Sequence, residues 1–579
     1  MKLRKSLTVL LALVLCLVLI SGCDKQQADT TTTTANAVTA TTAATAPAPA
    51  PDNNAAAPTT APAPTTAIAQ NNQGAAPAPA TTVPEGVKTG GTLLMSAAAE
   101  PTNLNPNGNY DANNGYLIQN VFNRLIKTNS MQQILPDLAS NYEVSDDGLK
   151  YTFHLLENVF FHDGEKLSSD DVKFTFEYIM ENSTFMVDSL ANVKSIDCPD
   201  ENTVVINMSK IDASLLYNLA YQGMFILPRH AYEGKDWAGA DAMQTPVGTG
   251  PFVYDSWDRG SRITLVRNPN FFLGTALPYL DKVIFAFIAD ATTAKTAFLA
   301  GDYDILGVFT STDFMEMRNH GNIDMEVNIY PSRFIVEFNM AMAPFDNVNL
   351  RRAVSYAVNN DEMMAIALKE VGLEAKHFLS PLYEWAVDPG VTLPEFDLEK
   401  ANQLMAETGL TKDANGNYLS VTVDTLNYAP FPDIAQVFKS QMAKIGIDVT
   451  INMVEYALFD EKVVRNKDFV IGITSDYQGP EVSAVSGSIA SDGYNNCTGY
   501  NNPAVDKLLT DALNLASFEE RAPLYKQVQK HMQEDLPYYI ISEWVGYFPH
   551  WDYVINHPGN ESARDKTNNY EFTYTWLNH

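Results

Sequence analysis

The order of apolar and polar positions divides the chain into three stretches. The first, residues 7–20, is an apolar run in which Thr8 is the only strongly polar residue. The second, residues 24–88, consists almost entirely of Thr, Ala, Pro, Asn and Gln and shows no hydrophobic period. The third, residues 89–579, alternates between hydrophobic periods of two and of 3.6 residues. This pattern predicts one large globular body that follows an apolar segment and a non-periodic spacer.

Within the body, strand-like and helix-like segments follow one another. Residues 283–287 alternate as a strand does, residues 294–300 read as a short helix closed by Gly301, and residues 303–308 read as another strand. Ser168 and Ser517 each precede acidic residues and then an apolar helical period, which predicts two capped helices.

A second unit of this kind is clearer. A helical face at positions 434, 438, 442 and 445 ends at Gly446, and a strand is predicted from residue 447 to 453. A helix over residues 456–464 then precedes the run 469–473, which is apolar at almost every position. A strand buried on both faces belongs in a sheet covered by helices, so the fold class is predicted as α/β.

The N-terminal segment has the layout of a secretory signal. Lys2, Arg4 and Lys5 precede the apolar run, which is too short for a comfortable membrane span. The run ends in the sequence ISGC at residues 20–23, and this resembles the lipobox of bacterial lipoproteins. We therefore expect residues 1–22 to be a lipoprotein signal peptide and Cys23 to be acylated. Residues 23–88 are predicted to be a disordered tether of about 45 Å.

Charge and cysteine content exclude several classes of function. The chain has 69 acidic against 38 basic residues, a formal net charge of -31, which argues against binding nucleic acid. Two cysteines belong to the body, Cys198 and Cys497, and they form either one disulfide or two buried thiols. We favour thiols, because a body of this size needs no covalent staple. The nine histidines form no ligand-spaced pair, so no metal site and no cofactor are predicted.

Five groups of motifs follow one another along the body. They are GGTL at 90–93 with EPTNLNP at 100–106; PDLA at 136–139 with VSDDG at 144–148 and YTF at 151–153; FHDG at 161–164 with SDDV at 169–172; VGTGPF at 247–252; and PFD at 344–346 with RRAVSYA at 351–357. In this order they resemble the family 5 extracellular solute-binding proteins of ABC importers, which include oligopeptide-, dipeptide- and nickel-binding proteins. Asn105 stands where the family usually has an Asp.

The resemblance implies a two-lobed periplasmic-binding-protein-like fold, with an extra domain inserted in the first lobe and a ligand cleft between the lobes. The boundaries it implies are 89–127, 245–343 and 544–579 for the first lobe, 128–244 for the inserted domain and 344–543 for the second lobe. The lobes are expected to close over the ligand by a hinge motion.

The residues expected to bind the ligand follow from the same resemblance. Asp476 lies just past the predicted buried strand, where α/β sheets bind ligands, and in peptide-binding members an Asp here receives the peptide α-ammonium. Four aromatic residues are predicted as walls of the cleft: Tyr428, Tyr477, Tyr494 and Trp544. Three loop residues are predicted to face it: Asn109, Tyr110 and Asn113. Residues 426–430 offer no Arg, which argues against a dipeptide specialist.

The sequence therefore predicts a substrate-binding lipoprotein that captures extracellular short peptides and delivers them to the permease of an ABC importer. We expect a monomer, held by Cys23 on the outer face of the cytoplasmic membrane, that is not an enzyme. A hydrolase is disfavoured because no Gly-x-Ser-x-Gly elbow and no His-Glu-x-x-His motif occur. Two alternatives keep the same fold: a non-peptide solute, such as a metal complex, haem or sugar, or a surface peptide sensor.

Overall fold

The computed structural model describes residues 79–108, 115–129, 133–182, 186–221, 223–235, 244–307, 311–369, 372–479, 481–558 and 570–579. The strands in these ranges are β1 Thr92–Ala97, β2 Ile126–Thr128, β3 Ile134–Pro136, β4 Ala139–Val144, β5 Lys150–Leu155, β6 Val193–Asp200, β7 Thr203–Met208, β8 Phe252–Asp258, β9 Arg262–Arg267, β10 Lys282–Phe287, β11 Ile323–Phe338, β12 Leu373–Glu374, β13 Leu419–Leu426, β14 Ile447–Val454, β15 Ile471–Tyr477, β16 Tyr538–Trp551, β17 Val554–Ile555 and β18 Trp576–Leu577.

The α-helices are α1 Gly115–Val121, α2 Ser169–Glu181, α3 Leu215–Leu219, α4 Arg229–Tyr232, α5 Ala291–Leu299, α6 Ser311–Met317, α7 Val348–Ala357, α8 Asn360–Glu362, α9 Leu398–Glu407, α10 Phe431–Ala443, α11 Tyr456–Phe459, α12 Ser486–Ile489, α13 Pro503–Leu513 and α14 Phe518–Asp535. Short 3-10 or π turns lie at Val187–Leu190, Met363–Ala367, Pro381–Ala386, Asp460–Arg465 and Val482–Val485. Among the described residues, no helix combines the length and the apolarity needed to cross a membrane.

The second lobe is built on a six-stranded sheet in the order β12-β16-β11-β15-β13-β14. Strand β13 runs parallel to both β14 and β15, because α10 returns the chain from the end of β13 to the start of β14. The predicted helical face is confirmed: Ile434, Phe438 and Met442 of α10 are fully buried. Helix and sheet share one large apolar core.

The first lobe is built on the four-stranded sheet β1-β10-β9-β8. Two long strands connect the lobes: β11 has 16 residues and spans about 50 Å, and β16 pairs with it along most of its length. Their register shifts between Ile329 and Arg333, which marks the irregular part of the connection. At the far end, Ile305 bridges both β1 and β16 and thereby joins the first-lobe sheet to the crossing strands.

A separate antiparallel sheet, β4-β5-β7-β6, has its own hydrophobic core with α2 and α3. We call residues 126–232 the insert unit. The predicted cap of α2 is confirmed, since Ser168 and Asp171 form a reciprocal capping box. The resulting architecture is a two-lobed α/β fold, while the boundaries of its domains stay a prediction.

Three expectations need correction. The strand predicted over residues 303–308 is not formed in its described part, 303–307, where Ile305 alone makes two isolated bridges. Gly307 then passes so close to the Ser96 carbonyl that a side chain would clash. The predicted helix over 456–464 is a short α-helix that widens into a π turn. Cys198 and Cys497 are both free thiols, as favoured, but only Cys497 is buried and Cys198 is partly exposed.

Candidate ligand-binding site

Asp476 lies inside a strand rather than just past it. The predicted strand extends to Tyr477, because residues 471–477 pair residue by residue with β11, and Asp476 stands opposite Arg333. Asp476 is the last residue but one of β15, so it lies near the edge where the parallel strands β13, β14 and β15 all end. This is the edge at which open α/β sheets bind ligands.

A row of charged side chains crosses the sheet at this level. Arg333 on β11 stands opposite Asp476 on one side and opposite Glu543 of β16 on the other. All three are buried, with exposed fractions of 0% for Arg333, 3% for Asp476 and 1% for Glu543. Three aligned charges from strands far apart in sequence form a buried charged row across the sheet.

The hydrogen bonds of Arg333 go to partners other than Asp476. Its Nε donates to Glu543 Oε2 at 3.2 Å, its Nη1 donates to the Phe378 carbonyl at 2.8 Å and its Nη2 donates to the His377 carbonyl at 3.3 Å. Arg333 therefore acts on Asp476 only as a nearby positive charge.

The carboxylate of Asp476 is incompletely satisfied. Its Oδ1 accepts a hydrogen bond from Ser488 Oγ at 3.0 Å, whereas Oδ2 is buried without a hydrogen-bond partner. Burial raises the pKa of Asp476, and the charge of Arg333 opposes that rise. An unpaired buried carboxylate oxygen is costly, and it calls for an incoming donor or cation.

A second buried acid shares this face of the sheet. Glu337, four residues beyond Arg333 on β11, accepts a hydrogen bond from Cys497 Sγ at 3.0 Å on Oε1, and its Oε2 is buried without a partner. Burial raises the pKa of Glu337 to about 7; the Cys497 bond opposes this rise and the charge of Asp476 adds to it. We call Arg333, Glu337, Asp476 and Glu543 the Asp476 cluster.

Sequence reasoning did not find Arg333, Glu337 or Glu543 as members of the site. A signal was present: Arg333 and Glu337 bracket the apolar residues 334–336, and Glu543 follows the run 538–541. Charged residues are rarely buried, so a charge within an otherwise apolar strand indicates a buried polar site.

Tyr494 lies beside the cluster and faces solvent. Its side chain is 80% exposed, yet the surrounding protein and the charge of Asp476 raise its pKa. Its ring lies over Gly487, the neighbour of Ser488 on α12. A solvent-exposed ring with protein groups close around it is consistent with a position on the wall of an open cleft.

The other predicted aromatic residues lie on the opposite face of the sheet or at its edge. Trp544 stacks on Phe334 at a ring distance of 4.6 Å, and Tyr428 meets Phe431 edge-to-face at 5.3 Å. Phe334 and Phe431 join the two pairs, with ring centroids 5.7 Å apart. Tyr428 and Trp544 are half-buried, so part of each ring packs on the core and part remains accessible.

Tyr477 connects the second lobe to the insert unit. Its hydroxyl oxygen lies 3.2 Å from that of Tyr221, and it is half-buried. Strand alternation places Tyr477 and Asp476 on opposite faces of β15. The structure thus brings Asp476 and Tyr494 together, and Tyr428 and Trp544 together, on two sides of the same sheet edge.

Other predicted site residues lie outside the described residues. These are Asn109, Tyr110, Asn113 and the lipidation site Cys23. Among the residues that the structure describes, no group of three or more His, Cys, Asp or Glu side chains is placed to hold a metal ion.

Comparison with known proteins identifies the family. The model of the bacterial extracellular solute-binding proteins, family 5 Middle, matches residues 133–495, more than half of the chain. Heme-binding protein A of Haemophilus influenzae is 29% identical over 460 residues, which cover 74% of this chain and 83% of that protein. Oligopeptide-binding protein AppA of Bacillus subtilis is 28% identical over 475 residues, which cover 78% of this chain and 85% of AppA.

Solved structures share the fold. AppA of Bacillus subtilis in complex with a nonapeptide superposes with a TM-score of 0.63 at 25% identity, covering 85% of this chain and 99% of AppA. The periplasmic murein tripeptide binding protein MppA, in its unliganded open form, superposes with a TM-score of 0.73 at 19% identity and the same two coverages. The chain therefore belongs to the bacterial extracellular solute-binding proteins of family 5.

Proposed function

We propose that this chain is the substrate-binding lipoprotein of an ABC importer and that it captures short peptides between its lobes. The observation that carries the proposal is the unpaired Oδ2 of buried Asp476. A peptide α-ammonium would supply both the missing hydrogen-bond donor and the missing charge, and a charge-assisted bond of this kind is strong where water is excluded. The oligopeptide-binding relative AppA supports the same ligand class.

The charge balance of the site supports a cationic group on the ligand. The Asp476 cluster sets one guanidinium, Arg333, against three carboxyl groups, and Arg333 is hydrogen-bonded to Glu543. Asp476 therefore has no cation of its own to contact. Haem is a second candidate, because Heme-binding protein A is among the relatives. Haem carries anionic propionates, however, and a buried excess of acids would repel them.

We expect the lobes to close over the ligand by a hinge motion. Closure over a ligand would complete the site, and Tyr494, Tyr428, Tyr477 and Trp544 would then contribute contact area with little demand on ligand sequence. Bridging waters would fill the remaining gaps around variable side chains.

Binding to a matched pair of peptides tests the proposal. The secreted chain with Cys23→Ser, freed of co-purified ligand by unfolding and refolding, would be titrated calorimetrically with a pool of tetrapeptides and with the same pool N-acetylated. Removing one partner of a buried charge pair costs about 2–5 kcal/mol, so acetylation is expected to weaken binding at least about 30-fold. The substitution Asp476→Asn should abolish the difference between the two pools.

The exposed Asp448 on strand β14 provides the control, since Asp448→Asn removes the same charge far from the cluster. Equal binding of free and acetylated peptides, or an Asp448→Asn variant as weak as Asp476→Asn, would count against the role of Asp476. Absence of peptide binding by the unsubstituted chain would count against the peptide ligand itself.

Membrane attachment is a separate part of the proposal. Diacylglycerol on Cys23 would hold the body at the outer face of the membrane, because acyl chains contribute about 0.8 kcal/mol per buried methylene. Mass spectrometry of the N-terminal peptide is expected to find the lipid, and Cys23→Ser should release the protein from the membrane fraction. Light scattering of the released protein is expected to give the mass of a monomer. An unlipidated Cys23 in the mature protein would contradict the anchor.

A further inference from the structure

The segment that follows Asp476 is held at several points by the second lobe. Gln478 donates its backbone N–H to the Pro331 carbonyl at 2.7 Å, and its side chain accepts from the Ser380 backbone N–H at 3.0 Å. The Tyr383 hydroxyl donates to the carbonyls of Gln478 and Gly479. This segment leads to Ser488, whose hydroxyl donates a hydrogen bond to Asp476. The conformation of the segment therefore decides where the carboxylate of Asp476 points.

One tyrosine of the insert unit, Tyr221, contacts the same segment from outside the second lobe, and a second, Tyr217, reaches it through intervening side chains. The Tyr221 hydroxyl lies 3.2 Å from the Tyr477 hydroxyl, at the start of the segment. Tyr217 packs its ring against Phe518 at 6.2 Å, and Phe518 stacks on Trp385 at 4.6 Å. The two tyrosines are four residues apart on and just after α3, so both side chains lie on one side of that turn.

The contact made by Tyr217 is linked to Glu481, within the segment, through Phe518, Trp385 and a buried ion pair. Arg521 lies 5.2 Å from the Trp385 ring and donates from Nη2 to Glu481 Oε1 at 2.7 Å, and both charged side chains are buried. Glu481 in turn accepts from the Ser483 backbone N–H at 2.8 Å, at the turn that precedes α12. Burial, and after it the charge of Glu481, raises the pKa of Tyr217.

Tyr221 is itself fixed in the insert unit. Its carbonyl accepts from Arg124 Nε at 3.1 Å, and Arg124 lies against the Phe225 ring at 4.1 Å. The contact with Tyr477 is also close to the irregular part of the crossing strands, since Tyr477 pairs with Ser332.

We propose that Tyr217 and Tyr221 are positioning residues that clamp the segment from Tyr477 to Ser488 and thereby hold Asp476 in the conformation that binds the ligand. The insert unit thus takes part in recognition without touching the ligand. This inference rests on the proposed role of Asp476 as the ligand anchor.

We call the two contacts made by Tyr221 and Tyr217 the clamp. A double-mutant cycle tests the direct contact, between Tyr221 and Tyr477. Tyr221→Phe, Tyr477→Phe and the double variant remove one hydroxyl, the other, or both, and affinity for tetra-alanine is measured by calorimetry in the Cys23→Ser chain. Loss of one hydrogen bond predicts that Tyr221→Phe weakens binding about 3- to 10-fold. In the Tyr477→Phe background the same substitution should change affinity less than about twofold, because its partner is gone.

Tyr151→Phe is the matched control, since its hydroxyl donates to the Asp212 carbonyl within the insert unit. It is expected to leave affinity unchanged. For the contact between Tyr217 and Phe518, Tyr217→Phe keeps the ring and should bind tetra-alanine as the parent does. Tyr217→Ala removes the ring and should bind tetra-alanine more weakly. An equal effect of Tyr221→Phe in both backgrounds, or no effect in either, would overturn the clamp.

Hydrogen exchange of the ligand-free protein separates this inference from the proposed function. Tyr221→Phe should speed amide exchange between residues 478 and 488 in the parent but not in the Tyr477→Phe background. If tetra-alanine fails to bind the parent while this coupling is present, the peptide ligand is wrong and the clamp stands. If exchange is the same in all variants, the clamp is wrong whatever the ligand.

Discussion

Two buried clusters of charged residues differ in whether their carboxylate oxygens have hydrogen-bond partners. The first, which we call the Lys127 cluster, contains Arg124, Lys127, Asp137 and Glu571. Lys127 Nζ bonds both oxygens of Glu571, at 3.0 and 2.7 Å. Asp137 accepts from Asn123 Nδ2 and from the Arg124 backbone N–H, each at 2.8 Å. Two cations face two acids, and every carboxylate oxygen has a partner.

The Asp476 cluster sets one cation against three acids, and oxygens of Asp476 and Glu337 are left without partners. The Lys127 cluster joins the insert unit to the C-terminal segment and is complete without a ligand. Burial of charge alone therefore does not identify a binding site. An uncompensated acid at the edge of a sheet points to a ligand, whereas a closed ion-pair network points to architecture.

The largest expected effect on stability comes from removing the cation of the Lys127 cluster. Lys127→Met leaves Glu571 buried without its cation, and breaking a buried pair in this way costs about 3–5 kcal/mol. Urea denaturation should show this loss in the free energy of unfolding, with ligand affinity of the folded protein unchanged within about twofold. A variant as stable as the parent would show that the Lys127 cluster is not structural.

The next effect tests Glu337 of the Asp476 cluster through the pH dependence of stability. The pKa of Glu337 is raised to about 7 from its ordinary value of 4.5, so between these values the folded state holds a proton that the unfolded state has lost. Stability should therefore fall as pH rises from about 4.5 to 7, by at most about 1.4 kcal/mol per pH unit from this group, and level off above.

Glu337→Gln should flatten this part of the stability profile, because the amide keeps the acceptor for Cys497 and cannot ionise. Urea denaturation at several pH values measures it. An unchanged slope in the variant would show that Glu337 does not titrate in this range.

The smallest effect on stability is expected at the ligand anchor itself. Asp476→Asn removes the uncompensated charge and retains the acceptor for Ser488, so the free energy of unfolding should stay the same or rise by about 1 kcal/mol. Affinity should nevertheless drop as proposed above. A loss of stability similar to that of Lys127→Met would place Asp476 among the architectural charges.

Much of the fold, and within the Asp476 cluster only Asp476, were predictable from the sequence. Ordered motifs indicated the two-lobed fold, and the period of residues 434–453 gave α10 and β14. Asp476 was predicted because a buried strand ends near it. These features are local, so one sequence carries them.

The rest of the Asp476 cluster depends on register between distant strands. Arg333 meets Glu543 and Asp476 only because β11 pairs with β16 and β15, which lie more than a hundred residues further along the chain. Hydrophobic period does not specify such pairing. For the same reason residues 303–308 were expected to form a strand, although tertiary context leaves the described residues 303–307 only two isolated bridges, both at Ile305.

The role of Asp476 as the ligand anchor can be seen in a crystal structure of the protein with its co-purified ligand. We expect a positively charged nitrogen of the ligand within about 3.2 Å of Asp476 Oδ2, with the lobes closed around it. A ligand bound elsewhere, with Oδ2 still unpaired or bonded only to water, would show that Asp476 is not the anchor.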